Sequence, residues 1–156
     1  MQIDYLTFTV GKEYFAFNVK YIHEILIHHY YTRVNETDTF IAGIVNFKGN
    51  KFPVINTRKK LNINTKCRNN CSNIIIFKYD YRQEHIEIAA NVNSIEEIVQ
   101  ITSPDTNQTI SEQKYSCIKG TFNHYNQLVY IIDPDQFLFI PDIKSSPVFN
   151  KTSSIA

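Results

Sequence analysis

The sequence predicts an all-β fold, a barrel or sandwich arrangement of about ten short strands. Three observations carry this. Apolar and aromatic residues alternate along several short runs, Tyr5-Leu6-Thr7-Phe8-Thr9-Val10 among them. Turn residues punctuate those runs at regular intervals. No long stretch has the periodicity of an amphipathic helix, which excludes helical bundles and most α/β enzyme folds.

Taken in order, Tyr5 to Val10 and Tyr14 to Phe17 flank a turn at Gly11-Lys12 and read as a hairpin. Val19, Ile22 and Leu26 recur at three to four residues, so Val19 to Ile25 is expected to make a short helical turn, and Glu24 to Ile27 to leave it as a strand. Phe40 to Phe47 and Lys51 to Ile55 form the next pair around Gly49-Asn50. Pro53 has no N–H, so its strand is expected at a sheet edge or a bulge. Thr57 is the expected N-cap of a short basic helix, Arg58 to Leu61. Asn62 to Asn73 is polar and aperiodic and reads as an exposed loop.

Asn73 to Tyr79 has the continuous apolar character of a buried strand. A turn at Asp80 to Gln83 returns the chain through His85 to Ala90. Val92 to Ile101 suits a helix or a strand equally, and Ser103 to Lys114 reads as loop. Cys117 to Phe122 and Gln127 to Ile132 flank a turn at Asn123 to Asn126. Asp133-Pro134 then opens a helical turn, with Asp at the N-cap and Pro in the first position. Residues 1–140 are expected to form one domain, and the apolar-poor segment 141–156 a disordered tail.

Composition sets the function classes. The 156 residues are 43% hydrophobic and 20% charged, an ordinary globular balance. Ten Tyr and eleven Phe can fill a core without disulfides or metal. Net charge is +1 but unevenly spread: residues 1–78 carry a net +6 and residues 79–156 a net −5. Between Thr39 and Tyr79 there is no acidic residue, yet Lys48, Lys51, Arg58, Lys59, Lys60, Lys66, Arg68 and Lys78 all fall there. Such a run is either a solvated face or a docking surface for an acidic partner. Together with the aromatics it also motivates an alternative function, a barrel that binds single-stranded nucleic acid. No targeting segment and no spanning helix is visible, so a cytoplasmic location is expected.

The candidate chemical sites are weak. Cys67, Cys71 and Cys117 form no disulfide framework, and a C-x3-C pair with one further Cys and His85 or His124 is an incomplete zinc set. His28-His29 read as an exposed strand end. Glu96-Glu97 are sequence neighbours that do not face each other as an acid–base pair. Four glycines leave no room for a phosphate-cradling loop, and no nucleophile elbow exists. No catalytic, cofactor or metal residue is assigned, and an enzyme is not expected. Phe17, Phe47 and Phe52 are candidates to pave a partner groove.

The four glycines, Gly11, Gly43, Gly49 and Gly120, sit within six collinear words. Tyr5 to Phe8 with Val10-Gly11 is the first. Ile22-His23-Glu24-Ile25 and Ile41-Ala42-Gly43-Ile44-Val45-Asn46-Phe47-Lys48-Gly49 follow. Then come Pro53-Val54-Ile55-Asn56 with Leu61, Val92 to Ile98, and Ile118-Lys119-Gly120 with Leu128 to Asp133. In this order, from about Tyr5 to Leu138, they resemble the CheW-like family of chemotaxis coupling proteins.

The resemblance implies two intertwined five-stranded SH3-like barrels with a few short helices and a shared core. It implies a non-catalytic adaptor between chemoreceptors and a CheA-type histidine kinase, in chemotaxis or twitching motility. Its partners would be the kinase's regulatory domain and the receptor's helical hairpin tip, at membrane-bound arrays. Carried over by position, Ile22, Glu24, Gly43, Asn46 and Lys48 would face the receptor, and Pro53, Val54 and Ile55 would lie near the kinase-facing barrel. Gly11, Gly43, Gly49 and Gly120 are expected as turn glycines.

Departures from the family pattern are Lys48 for Arg, Phe47 for Leu, Asn56 and Asn93 for Asp, and Ser94 for a frequent Gly. Lys keeps the charge but loses the planar fork. The departures admit a further alternative, a degenerate paralogue that only fills structural positions in an array.

Overall fold

The computed structural model describes residues 2–34, 40–64, 71–102 and 114–140. The expected loops over 65–70 and 103–113 and the expected tail over 141–156 lie outside them, as does Cys67.

In chain order the elements are β1 (Ile3–Val10), β2 (Glu13–Asn18), a 3-10 turn (Val19–Tyr21), β3 (Ile22–Tyr30), β4 (Thr32–Arg33), β5 (Ile41–Phe47) and β6 (Asn50–Ile55). After them come α1 (Thr57–Leu61), β7 (Cys71–Tyr81), β8 (Glu84–Val92), β9 (Ser94–Ile101), β10 (Ile118–His124), β11 (Gln127–Ile132) and α2 (Pro134–Leu138). One sheet has the order β10-β11-β2-β1-β9 and the other β3-β7-β8-β6-β5-β4.

The second sheet is a closed barrel. Only Tyr31 separates β3 from β4; β3 pairs with β7, and β4 with β5, so its two ends are one bent strand. The bend follows a bulge between Leu26 and His29, where His28 has a φ of 51°. The buried Asn73 side chain secures it, its Oδ1 accepting the His28 N–H at 3.0 Å. The first sheet curls the same way, but among the described residues no ladder joins β9 to β10. Among the described strands, that barrel keeps an open seam.

Successive residues on the central strands go to different cores. Ile75 and Phe77 enter a large core shared by both sheets, whereas Ile74 and Ile76 fill the closed barrel. Phe15 and Phe17 join the shared core, whereas Ala16 fills the open barrel with Tyr5, Phe122, Val129 and Ile131. Burial on both faces explains the unbroken apolar runs at Ile74 to Phe77 and Leu128 to Ile132.

Among the described residues the chain crosses between barrels through the Val19–Tyr21 turn and at Asn93. Asn93 is the single residue between β8 of the closed barrel and β9 of the open one. Its N–H donates to Thr9 O at 2.8 Å, and its carbonyl accepts from Asn73 Nδ2 at 2.8 Å. Its Oδ1 accepts the Gly11 N–H at 2.7 Å and Arg58 Nη2 at 2.6 Å. One side chain thus ties the β1–β2 turn to α1.

Several local expectations are corrected. Val19 to Ile25 is helical only over the 3-10 turn, and β3 starts at Ile22. Within Val92 to Ile101, Val92 ends β8, Asn93 is the crossover, and Ser94 to Ile101 is strand β9. The polar segment becomes β7 from Cys71 onward. The N-cap of α1 is Asn56, whose side chain accepts from Lys59 N, with Thr57 as the first helical residue.

Pro53 is not at an edge: β6 lies between β5 and β8. Counted from the two-residue turn, Ile44–Pro53 is a non-hydrogen-bonded pair, so the Pro53 nitrogen faces away from β5. On the other side, pairing with β8 begins only at Val54. No ladder bond is missing.

Two of the four expected turn glycines are in turns, Gly11 at φ 64° and Gly49 at φ 82°. Gly43 and Gly120 lie inside β5 and β10 instead. Gly43 is needed for close approach, since a Cβ there would stand 2.0 Å from Thr32 O. Gly120 follows a register shift in the β10–β11 pair.

Candidate partner-binding site

The expected receptor-facing residues all lie on the closed barrel, on two elements. Ile22 and Glu24 are half-buried near the start of β3, opposite Phe77 and Ile76 of β7. Ile22 packs against the shared core, which fixes the start of that strand. Asn46 and Lys48 are exposed at the end of β5 and in the following turn.

Lys48 and Gly49 form that turn, both at positive φ (52° and 82°), as a two-residue hairpin of the primed type requires. The Lys48 amine stands 5.2 Å from the centroid of the Phe47 ring, a cation–π contact at the turn tip. His29 Nε2 lies 3.4 Å from the Asn46 carbonyl oxygen, linking the end of β3 to this hairpin. Gly43 is buried and contributes the close β4–β5 approach rather than a contact surface.

The expected kinase-side residues are interior. Pro53 is buried, and Val54 and Ile55 are fully enclosed, Val54 inside the closed barrel and Ile55 in the shared core. They shape the barrel wall, and their side chains are shielded from a partner. The expected groove of phenylalanines is also corrected: Phe17 belongs to the shared core, Phe52 to the closed barrel's interior, and Phe47 is half-buried beside it. Residues not singled out from the sequence are exposed instead, Ile27 and Tyr30 on β3 and Ile98 on β9, each more than half accessible. In the sequence they look like core residues, because hydrophobicity alone does not say which side of a barrel wall a residue takes.

Among the described residues, several side chains of the basic stretch are engaged within the chain itself. Lys78 pairs with Glu87 at 3.6 Å, and Arg58 donates to Asn93. Lys60 donates to Phe139 O at 3.2 Å and lies 4.4 Å from the Phe40 ring centroid. Burial lowers the Lys60 pKa, an effect the nearby Cys117 opposes. Burial in turn raises the Cys117 thiol, whose Sγ is 3.7 Å from Lys60 O. Among the described residues no group of three or more His, Cys, Asp or Glu is placed to hold a metal ion. No helix there is long and apolar enough to cross a membrane.

The decisive comparison is with a family model, that of the CheW-like domain, which matches residues 4–139. The chain belongs to the CheW-like family. Chemotaxis protein CheW of Helicobacter pylori is 30% identical over 78 residues, covering 50% of this chain and 47% of that protein. The chain therefore spans about half the length of this curated relative. The crystal structure of scaffolding protein TtCheW from Thermoanaerobacter tengcongensis matches at a TM-score of 0.64 and 22% identity. That match covers 85% of this chain and 89% of the other, and it shows the CheW-like fold. The paired barrels are thus the fold expected from the sequence, one closed and one open along a seam.

Proposed function

We propose that the chain is a non-catalytic adaptor that couples chemoreceptors to a CheA-type histidine kinase. The match to the CheW-like domain over residues 4–139 carries this reading, because it takes in both barrels and the crossover between them. Relatives named as a chemotaxis protein and a scaffolding protein support it. An adaptor works by holding two partners at once, so its chemistry is surface complementarity. The core shared by the two barrels suits that task, because it couples the positions of surfaces on each barrel.

In this reading the receptor's helical hairpin meets the closed barrel along Ile22, Glu24, Asn46 and Lys48, with exposed Ile27 and Tyr30 adding apolar area. The kinase's regulatory domain meets the wall that Pro53, Val54 and Ile55 support from inside. Recruitment to membrane-bound receptor arrays follows from the first contact.

The test is a pull-down of the cognate kinase and of a receptor-tip fragment by the purified chain. Capture of both supports coupling, and capture of neither at micromolar protein removes it. Lys48→Arg separates a working adaptor from an array-filling paralogue: receptor affinity changes if the turn is used and stays the same if it is not.

A further inference from the structure

The open seam borders a half-open cleft of about 410 Å³ that no adaptor contact above uses. Its walls come from both strand edges and from β2: Glu96 and Glu97 on β9, His124 and Tyr125 at the β10–β11 turn, Tyr14 on β2, with Val129 on the floor. Where a ladder would close the barrel, the His124 ring pairs with the Glu97 carboxylate across the gap. The Tyr125 ring, 88% exposed, stands 4.4 Å from the His124 ring and contributes nothing to a core.

The lining selects one kind of guest. Glu97 meets the single imidazole, and Glu96, which accepts from Ser94 Oγ at 3.1 Å, lines the same cleft. Two carboxylates against one imidazole favour positive charge. Aromatic faces attract cations as well, and Tyr14 and Tyr125 bring two. Val129 and the rings accept a short alkyl stem. The volume falls within the range of small-ligand sites, larger than a water pocket needs.

We propose that this seam binds a guanidinium or ammonium group on an alkyl stem, with the cation on Glu97 and Glu96 and the stem against Tyr14, Tyr125 and Val129. On binding, the cation takes the place of the His124 ring at Glu97. The source is either a free small cation or a basic side chain of a protein, and the two are separable.

The experiment titrates the isotope-labelled chain with agmatine and with an acetyl-Gly-Arg-Gly-amide peptide, using the citrulline peptide as neutral isostere. Saturating NMR shifts at Tyr14, His124 and Tyr125 are expected from a guanidinium and not from citrulline. Glu97→Gln and Tyr125→Asn are each expected to weaken binding by about two- to fivefold, the worth of a half-exposed ion pair or cation–π contact. Both variants should fold: the Thr7 hydroxyl bonds only the Glu97 backbone, and Asn suits the positive φ of residue 125. Tighter binding of agmatine assigns a free cation, and tighter binding of the peptide assigns a protein side chain. The proposal is overturned by absence of saturation, by equal binding of the citrulline peptide, or by unchanged affinity in folded Glu97→Gln.

Discussion

The Arg58 guanidinium donates to Asn93 Oδ1 at 2.6 Å, joining the helix of one barrel to the residue where the chain enters the other. The same oxygen accepts the Gly11 N–H, so the bond is one arm of a three-way tie between α1, the β1–β2 turn and the crossover. The family's Asp at this position would serve the same two donors with a full charge.

Asn93→Ala removes both acceptor contacts and is expected to destabilise the fold by about 1–2 kcal/mol. Asn93→Asp retains both and gains a charge-assisted bond to Arg58, so it is expected to be at least as stable as the parent at neutral pH. Urea midpoints of the two variants check this; equal loss in both would show that the tie contributes nothing.

Thr57 presents the opposite case. Its backbone N–H is satisfied by Asn91 Oδ1 at 3.0 Å, but its Oγ1 is buried without a hydrogen-bond partner. Thr57→Val keeps the shape and deletes the unpaired hydroxyl, and should stabilise the protein by about 1 kcal/mol. Asn91→Leu should do the reverse by about 2 kcal/mol or more, orphaning the Thr57 N–H and removing the Nδ2 donation to Tyr31 Oη. Thermal melts of the pair read the two signs directly.

The glycines divide by mechanism. Gly43→Ala puts a methyl 2.0 Å from Thr32 O, so β4 must move and the closed barrel opens; the expected loss is about 3 kcal/mol or more. Gly49 has open space around it, so only its φ of 82° matters. Gly49→Asn should be nearly neutral and Gly49→Val should lose about 1–3 kcal/mol. Comparable melting temperatures for Gly43→Ala and Gly49→Asn would refute the close-approach account.

Burial holds the Cys117 thiol above its ordinary range, with Asp133 adding to the shift and Lys60 opposing it. The thiol form is therefore favoured on folding. Its contribution is fully present at neutral pH and is lost as pH rises through the raised value. Cys117 should alkylate more slowly than an unfolded-state thiol at pH 8, as measured by peptide-resolved mass spectrometry with and without urea. Equal rates in the two conditions would sink this assignment.

Hairpins were legible wherever alternation and a turn signal coincided, as at Tyr5 to Phe17 around Gly11. The Asp133-Pro134 cap was legible too, and the structure has Asp133 accepting from Asp135 N at 3.0 Å. Residues 92–101 were ambiguous because Ile95, Ile98, Val99 and Ile101 fit both periods, and only pairing with β1 decides for strand. Asn56 and Thr57 both suit an N-cap, and the choice depends on Asn91 reaching across from β8. Pro53 misled because its tolerance depends on a ladder phase set by the Lys48-Gly49 turn earlier in the chain. The candidate surface was the least legible part. Whether Val54 or Ile27 faces a partner depends on barrel closure, which no local pattern encodes.

The open barrel draws β1 and β2 from the start of the chain and β9 to β11 from its later part, whereas the closed barrel is continuous from β3 to β8. On a ribosome the inner unit can therefore close while the first hairpin waits for its remaining strands, exposing Phe15 and Phe17 meanwhile. Chaperone capture of nascent chains is expected to centre on that hairpin and to end once residues beyond Ile132 have emerged from the exit tunnel.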